Sequence, residues 1–287
     1  RQERAFYDFD LTEQVKKQHA LWDINETVNL SSMVYRLKDL ETKLGRHGYG
    51  VEVGINCLFL QFYYDLSDRE LEQELRFNIA YKWFCGFSAY QQTPDHSYFG
   101  RFRKLVGTKR IGKIFKTIVT KAKEKNLVRG VFHFVDATAI ITKNTTWAER
   151  DNAIKKGEEA LNNSNVKTYS ADNQARFGCK GTSKFWFGYK GPIGVDMGSG
   201  LIESAAVTPA NLSDQVGFKL ICPRDGQRVF GDHPYCLKPA QIAMTIRGAI
   251  SATILKHTMI GKHKDHARWR SSVTAPFEGI FSKCEKR

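Results

Sequence analysis

Three acids stand where an acid needs a reason. Asp136 lies inside "VFHFVDATAIIT", residues 131–142, a run of β-branched and aromatic residues with the composition of a buried strand. Asp232 closes the short apolar stretch "RVFGD", so its carboxylate is expected at the carboxyl end of another strand. Glu278 sits in "APFEGIFSK", where Phe277, Ile280 and Phe281 are spaced to pack inward from a helix. Taken singly, an Asp at a strand end is more often a turn cap, and a helical Glu is more often solvated. Taken together, the three are expected to converge. Crowded carboxylates raise one another's proton affinity and oppose folding, which a divalent cation relieves. Hard oxygen donors suit Mg²⁺ or Mn²⁺, and two such ions about 3.5–4 Å apart activate a water and stabilise a leaving oxygen in phosphodiester cleavage. On this reading Asp136, Asp232 and Glu278 are metal ligands rather than proton-transfer partners. Other acids compete: Asp196 and Glu203 flank the turn "GSG", Asp214 caps a helix, and Glu285 lies on roughly the same helical face as Glu278 but among solvent-type neighbours. Spacing alone leaves that choice open.

The elements that must position these acids change character once along the chain. From about residue 30 to 127 the hydrophobic period is helical. "SSMVYRLKDLETKLGRHG" opens on a Ser pair and closes on Gly48, and "VEVGINCLFLQFYY" is an apolar core helix. "SDRELEQELRF" carries Ser67 and Glu70 at capping-box spacing, and Asp95 is placed to cap a short basic helix ending at Gly107, with Thr108 opening another. After residue 130 the pattern becomes that of strands: "VFHFVDATAIIT", then "KFWFGYKGPIGVDM" and "LIESAAVTP" as a hairpin, then "RVFGD" and "ATILK". Helices fall at "NLSDQVGFKLI", at "KPAQIAMTIRGA" with Pro239 in the first turn, and from about Lys264 to Arg287. A three-strand meander followed by alternating helices and strands is the order of the RNase H-like fold. The expected class is α/β (α+β), with a helical domain over 1–130 and a mixed-sheet domain over 131–287. A long polar, partly helical insertion, residues 143–184, separates the first two strands.

Charge narrows the partner. Forty-four Lys and Arg against thirty Asp and Glu give a formal charge of +14 and a pI near 9.5, which favours a polyanion, nucleic acid or an anionic membrane surface. No apolar run approaches the roughly 18 residues a membrane span requires, and the first residues lack the apolar core of a secretory signal, so a cytoplasmic protein is expected. Between 101 and 130 there are eleven basic residues and one acid, Glu124. Arg101, Arg103, Lys104, Lys109 and Arg110 are candidate phosphate contacts, as are Lys184 and Lys190 beside "FWFGY" and the basic loop "KHTMIGKHKDHARWR". A solvated helix face accounts for the basic run equally well. The six cysteines include no C-x-x-C pair, and His263 and His266 have no Cys at ligand spacing, which argues against zinc.

Several stretches in order resemble bacterial insertion-sequence transposases. "FLQFYYDLSDRELEQELRFNIAYKWFCGF" with "TPDHSYFGRFRKLVG" is similar to their N-terminal domain, while "VDATAI", "FWFGYKGPIGVDMGSGLIESAAVTPANLSDQVG", "VFGDHPYC" and "APFEGIFSK" are similar to their catalytic domain. The resemblance implies a DDE triad at Asp136, Asp232 and Glu278 holding two divalent ions, with Asn211, Asp214 and Tyr235 as further motif positions. It also implies double-stranded DNA partners, the element's terminal inverted repeats and a target, bound by at least a homodimer on paired ends in a bacterial nucleoid. Family members commonly read Asp-Lys-Gly-Tyr where this chain has Asp232-His233-Pro234-Tyr235, and tend to carry an Arg where it has Thr274. They also continue for tens of residues beyond the Glu, so a missing C-terminal segment is expected. These departures leave two alternatives, a decayed DNA-binding copy and a nuclease of the same fold without strand transfer.

Overall fold

The computed structural model describes residues 11–15, 19–28, 34, 37, 40, 48–142, 145–224, 226–255, 259 and 264–285, with the backbone alone at Lys264, Ala267 and 282–285. Most of the helix expected over 31–48 and of the basic loop over 256–263 lies outside the described residues. The chain forms two compact units, 1–122 and 123–287, with the division several residues before the expected 130.

The first unit is helical. Two short helices, α1 (Leu11–Gln14) and α2 (Ala20–Val28), precede α3 (Val51–Tyr63), α4 (Asp68–Phe77), α5 (Ile79–Cys85) and α6 (His96–Glu124). The expected starts are made by side chains. Ser67 Oγ accepts from Glu70 N and Glu70 Oε2 accepts from Ser67 N, closing the capping box of α4. Asp95 Oδ1 accepts from Tyr98 N at 3.1 Å at the head of α6. That helix is broken at Gly107, whose φ of 68° belongs to the left-handed region that favours glycine. Leu60, Leu71, Leu75 and Phe99 are fully buried in the core these helices enclose.

The second unit is built on a mixed sheet. Its strands are β1 (Phe132–Ile141), β2 (Arg176–Lys180), β3 (Lys184–Asp196), β4 (Ile202–Ala205), β5 (Thr208–Pro209), β6 (Arg228–Gly231) and β7 (Ile250–Ser251). The order is β2-β3-β1-β6-β7, with β4 and β5 also paired to β3. Pairs β1–β3, β2–β3, β3–β4 and β3–β5 are antiparallel, while β1–β6 and β6–β7 are parallel. This is the expected mixed α/β architecture. The strand expected at "ATILK" falls slightly earlier, at Ile250–Ser251, and its bonding to β6 continues through Ile254 N to Gly231 O. The insertion holds α7 (Trp147–Lys155), α8 (Val166–Tyr169) and the unexpected strand β2. β3 bends at Gly188, φ 152°, where a Cβ would strike the carbonyl of Ile140.

Helices cover both faces. α9 (Asp214–Ile221) and α10 (Lys238–Arg247) share a core with Val135, Val229 and Tyr235, and α10 ends on Gly248 in the left-handed region. On the opposite face α11 (Lys264–Glu285) lays Phe277 and Phe281 against Phe134, with ring centroids at 6.2 and 5.4 Å. Alternation along β1 and β6 sends Phe134 and Phe230 to the α11 face and Val135 and Val229 to the other.

Candidate active site

Two of the three acids are brought together by strand register. β1 and β6 run parallel, with Val135 opposite Gly231, so Asp136 and Asp232 follow as neighbours at the point where β6 ends. The crevice beyond the carboxyl ends of parallel strands is where α/β sheets place ligands. Asp136 is largely enclosed, and its Oδ1 accepts from the N–H of Ala137 at 2.8 Å. Among the described residues no cationic side chain forms an ion pair with it. Burial pushes its carboxyl up to about 6, helped by the charges of Asp214 and Asp232, against the pull of the Ala137 N–H and the charge of Lys180.

Asp232 is exposed and caps a 3-10 turn, His233–Cys236. Its Oδ1 accepts from His233 N at 2.7 Å, and its carbonyl accepts from Tyr235 N at 3.0 Å. The His-Pro departure is thereby accommodated. Pro234 stands in the first turn, where its missing N–H leaves no bond unmade and its fixed φ suits the geometry.

Glu278, the third acid of the expectation, lies on α11, which packs on β1 through Phe277 and Phe281. It is exposed on α11, one position round the helix from the inward-facing Phe277. Among the described residues no three His, Cys, Asp or Glu side chains gather into a group able to hold a metal. Thr274, one of the expected departures, is buried, and its hydroxyl donates to Ser271 O. The side chain of Glu285 lies outside the described residues.

Asp214, a helix cap on sequence grounds, has a larger part in the site than that role implies. It opens α9, and its charge reaches both Asp136 and Tyr235. Its place just after "TPAN" is the sequence signal that points to it. Lys190, expected to meet phosphate, donates instead to Asp214 Oδ1 and to Leu212 O, each at 2.9 Å. Arg103 is similarly engaged, bonding both oxygens of Asp68 at 2.7 Å and Gln61 Oε1 at 2.8 Å. Arg101, Lys104, Lys109 and Lys184 are exposed, while Arg110 is half-buried and has a partner of its own. His266 has one too; His263 lies outside the described residues.

The two acids of the "GSG" hairpin are held by the fold. Asp196 is fully buried and accepts from Gly130 N, Ser199 N and Ser199 Oγ. Glu203 contacts His133 Nδ1 at 3.0 Å and is paired with Lys123. Burial works to raise its carboxyl, but the His133 and Lys123 bonds carry it below the ordinary range.

A divalent cation fits the Asp136 and Asp232 pair better than any other acids of this unit. The two carboxylates supply neighbouring hard oxygens, the donor type such an ion takes, and Asp136 has no cationic partner among the described residues.

Comparison with known families gives two matches. Residues 9–105 match the family model described as Transposase domain (DUF772), and residues 134–272 match the Transposase DDE domain. The second match contains Asp136 and Asp232 and stops short of Glu278. No solved structure matches the chain. With both halves matched, in order, by transposase models, the chain belongs to the DDE transposases.

Proposed function

We propose that this transposase cuts DNA at the ends of an insertion sequence in a reaction dependent on Mg²⁺ or Mn²⁺, and joins the freed end to target DNA. The observation that carries the reading is the pairing of Asp136 with Asp232 at the end of β6, with Asp136 enclosed and lacking a cationic partner among the described residues. Asp136 and Asp232 would hold the cation, with Glu278 as the third donor brought up when DNA and the rest of the assembly are in place. The cation would neutralise charge on the phosphate and lower the proton affinity of the attacking oxygen. In the first step a water oxygen bonds to phosphorus and the 3′ oxygen leaves as a hydroxyl. In the second, that 3′ hydroxyl bonds to a target phosphorus and displaces the target's own 3′ oxygen. The protein's part is to align the phosphate and hold its carboxylates in place.

Double-stranded DNA, as terminal inverted repeats and target, is the proposed partner. Arg101, Lys104 and Lys109 of the helical unit present exposed cations to phosphate, and in the sheet unit Lys184 does the same. Arg103 and Lys190 are already bonded within the fold and contribute by shaping it. A homodimer on paired ends is the expected assembly. One observation favours a second reading, a copy that binds DNA without cutting it: among the described residues no three His, Cys, Asp or Glu side chains gather into a group able to hold a metal. Incubating the protein with a duplex carrying the element end plus MnCl₂ separates the two. Nicking that disappears in Asp136→Asn, Asp232→Asn and Glu278→Gln but survives Glu285→Gln supports the enzyme; binding without nicking supports the decayed copy. Nicking with no joined product would indicate a nuclease.

A further inference from the structure

The helical unit holds a cavity to which the acids of the sheet unit give no role. About 380 Å³ in volume, it is walled by α4, α5, the loop over 86–95 and the head of α6. That is room for a small ligand. Each of the three helices sends one cation to it: Arg76 from α4, Lys82 from α5 and Arg101 from α6. Arg76 and Arg101 are exposed, whereas Lys82 is buried. The two acids of the wall, Glu72 and Asp95, are already engaged. Glu72 accepts from Arg76 at 2.9 Å and from His96 N at 3.0 Å, while Asp95 accepts from Ser97 Oγ and caps α6 through Tyr98 N.

Lys82 is the anomaly. A buried ammonium is ordinarily paired with a carboxylate. Among the described residues Lys82 has no ion pair, and its Nζ donates to a single acceptor, the carbonyl of Ala89 at 2.6 Å. An ammonium carries three donors, so the remaining N–H groups are left to a ligand. Ala89 lines the cavity too, which puts this bond in its wall. The same bond fixes the loop on one side of Tyr90, and on the other Gln92 O accepts from Tyr49 Oη at 3.2 Å. Between them the Tyr90 ring is 75% exposed at the edge of the cavity. One exposed aromatic is ordinary; held in place beside a cavity that contains an unpaired buried cation, it is a stacking face next to donors for negative oxygens.

We propose that this cavity takes one nucleotide of a DNA strand, turned out of its stack, with the base on the Tyr90 ring and its oxygens on Lys82 and Arg101. A duplex lies along a surface and does not enter a pocket, whereas an extruded nucleotide does. An aromatic face for the base with cations for the backbone is how single strands are held. A free nucleotide has the same chemistry and is the competing occupant. The inference rests on DNA as the substrate of a transposase and not on the cation site, so it can be tested without metal.

The test uses the full chain in EDTA and a single-stranded oligonucleotide carrying 5-iododeoxyuridine, a base that cross-links under ultraviolet light to an aromatic ring it stacks on. The cross-link should map to Tyr90. Tyr90→Ala, at an exposed position, should raise the Kd for the strand about fivefold or more, the loss of one stacked base, with unchanged melting. Lys82→Met, which keeps the apolar stem and removes the donors, should weaken the same cross-link; if that variant does not fold, the map and Tyr90→Ala decide. Cross-links that avoid Tyr90, or an unchanged Kd in Tyr90→Ala, would overturn the proposal. Thymidine 5′-monophosphate competing as well as the strand would also overturn it and give the cavity to a free nucleotide. If the parent binds and nicks duplex DNA while Tyr90→Ala changes nothing, only the cavity fails. If the parent binds neither the strand nor a duplex, the DNA reading fails with it.

Discussion

Two pairs of acids in the sheet unit meet opposite treatment from the fold. Asp196, fully buried, and Glu203, half-buried, both beside the "GSG" turn, are answered: three donors converge on Asp196, and Glu203 has His133 and Lys123. Asp136 and Asp232 each accept a hydrogen bond from the N–H of the residue that follows, and the imidazole of His233 stands 3.9 Å from Asp232. The electrostatic consequence has opposite sign. Glu203 is carried below the ordinary carboxylate range despite its burial, whereas Asp136 is pushed up to about 6. Buried charge is tolerated when paired and costly when not. The sequence places Asp136 inside a strand and the other three acids near strand ends; it is their partners in the fold that separate the two pairs.

The contrast can be broken most sharply by chemistry. Asp136→Asn and Asp232→Asn are expected to give no Mn²⁺-dependent nicking of element-end DNA above the EDTA background. Asp196→Asn and Glu203→Gln, measured well below their melting temperatures, should retain nicking.

Stability should show the reverse order. Removing the charge of Glu203 takes the partner from buried His133, while Lys123, 45% exposed, is screened by solvent and adds little. Because the Glu203 carboxyl is lowered on folding, its contribution is present above its unfolded value near 4.5 and is lost as pH falls through the lower folded value. Chemical denaturation at pH 7 should therefore reveal a large deficit in Glu203→Gln that shrinks in acid. An equal deficit at pH 7 and in strong acid would show that the loss is not electrostatic.

A smaller effect of opposite sign is expected at Asp136. Its folded value of about 6 exceeds the unfolded 3.8, so the folded state holds the proton more tightly between those limits. Stability from this group is full below about pH 4 and is lost as pH rises through 6. Asp136→Asn escapes that loss, and in EDTA it should gain on the parent by about 1–3 kcal/mol between pH 4 and 7. A gap that does not vary with pH would remove the burial argument.

The smallest effects concern the basic residues of the helical unit, where pairing again sorts the candidates. Lys104→Ala and Lys109→Ala should each reduce the slope of log K against log salt for DNA binding by about 0.9 for every phosphate the lysine neutralises, with unchanged melting. Arg103→Ala should instead lower the melting temperature, since it releases Asp68 and Gln61. A changed salt slope without a stability loss would return Arg103 to the DNA surface.

What is legible in the sequence is local. The Ser67 and Glu70 cap, the break at Gly107 and the placement of Pro239 and Gly248 each follow from a residue's own backbone or side-chain preference. Asp136 and Asp232 can be found because an acid inside or ending an apolar strand contradicts its surroundings. β2 is not legible, because "RFGCK" lies in a polar insertion and becomes a strand only by pairing with Lys184–Gly188. The bonds from Lys190 to Asp214 and from Arg103 to Asp68 span 24 and 35 residues, beyond the reach of any periodicity. Glu278 directly follows the inward-facing Phe277 and is exposed, and the helical pattern alone does not say which acid it meets.

Calorimetric titration of MnCl₂ into the parent, Asp136→Asn and Glu203→Gln, at a temperature where all three are folded, tests the distinction between the two acid pairs directly. If Asp136 and Asp232 are the acids the fold leaves for a cation, the parent and Glu203→Gln bind Mn²⁺ alike and Asp136→Asn does not. Equal binding by all three, or loss in Glu203→Gln alone, would contradict it.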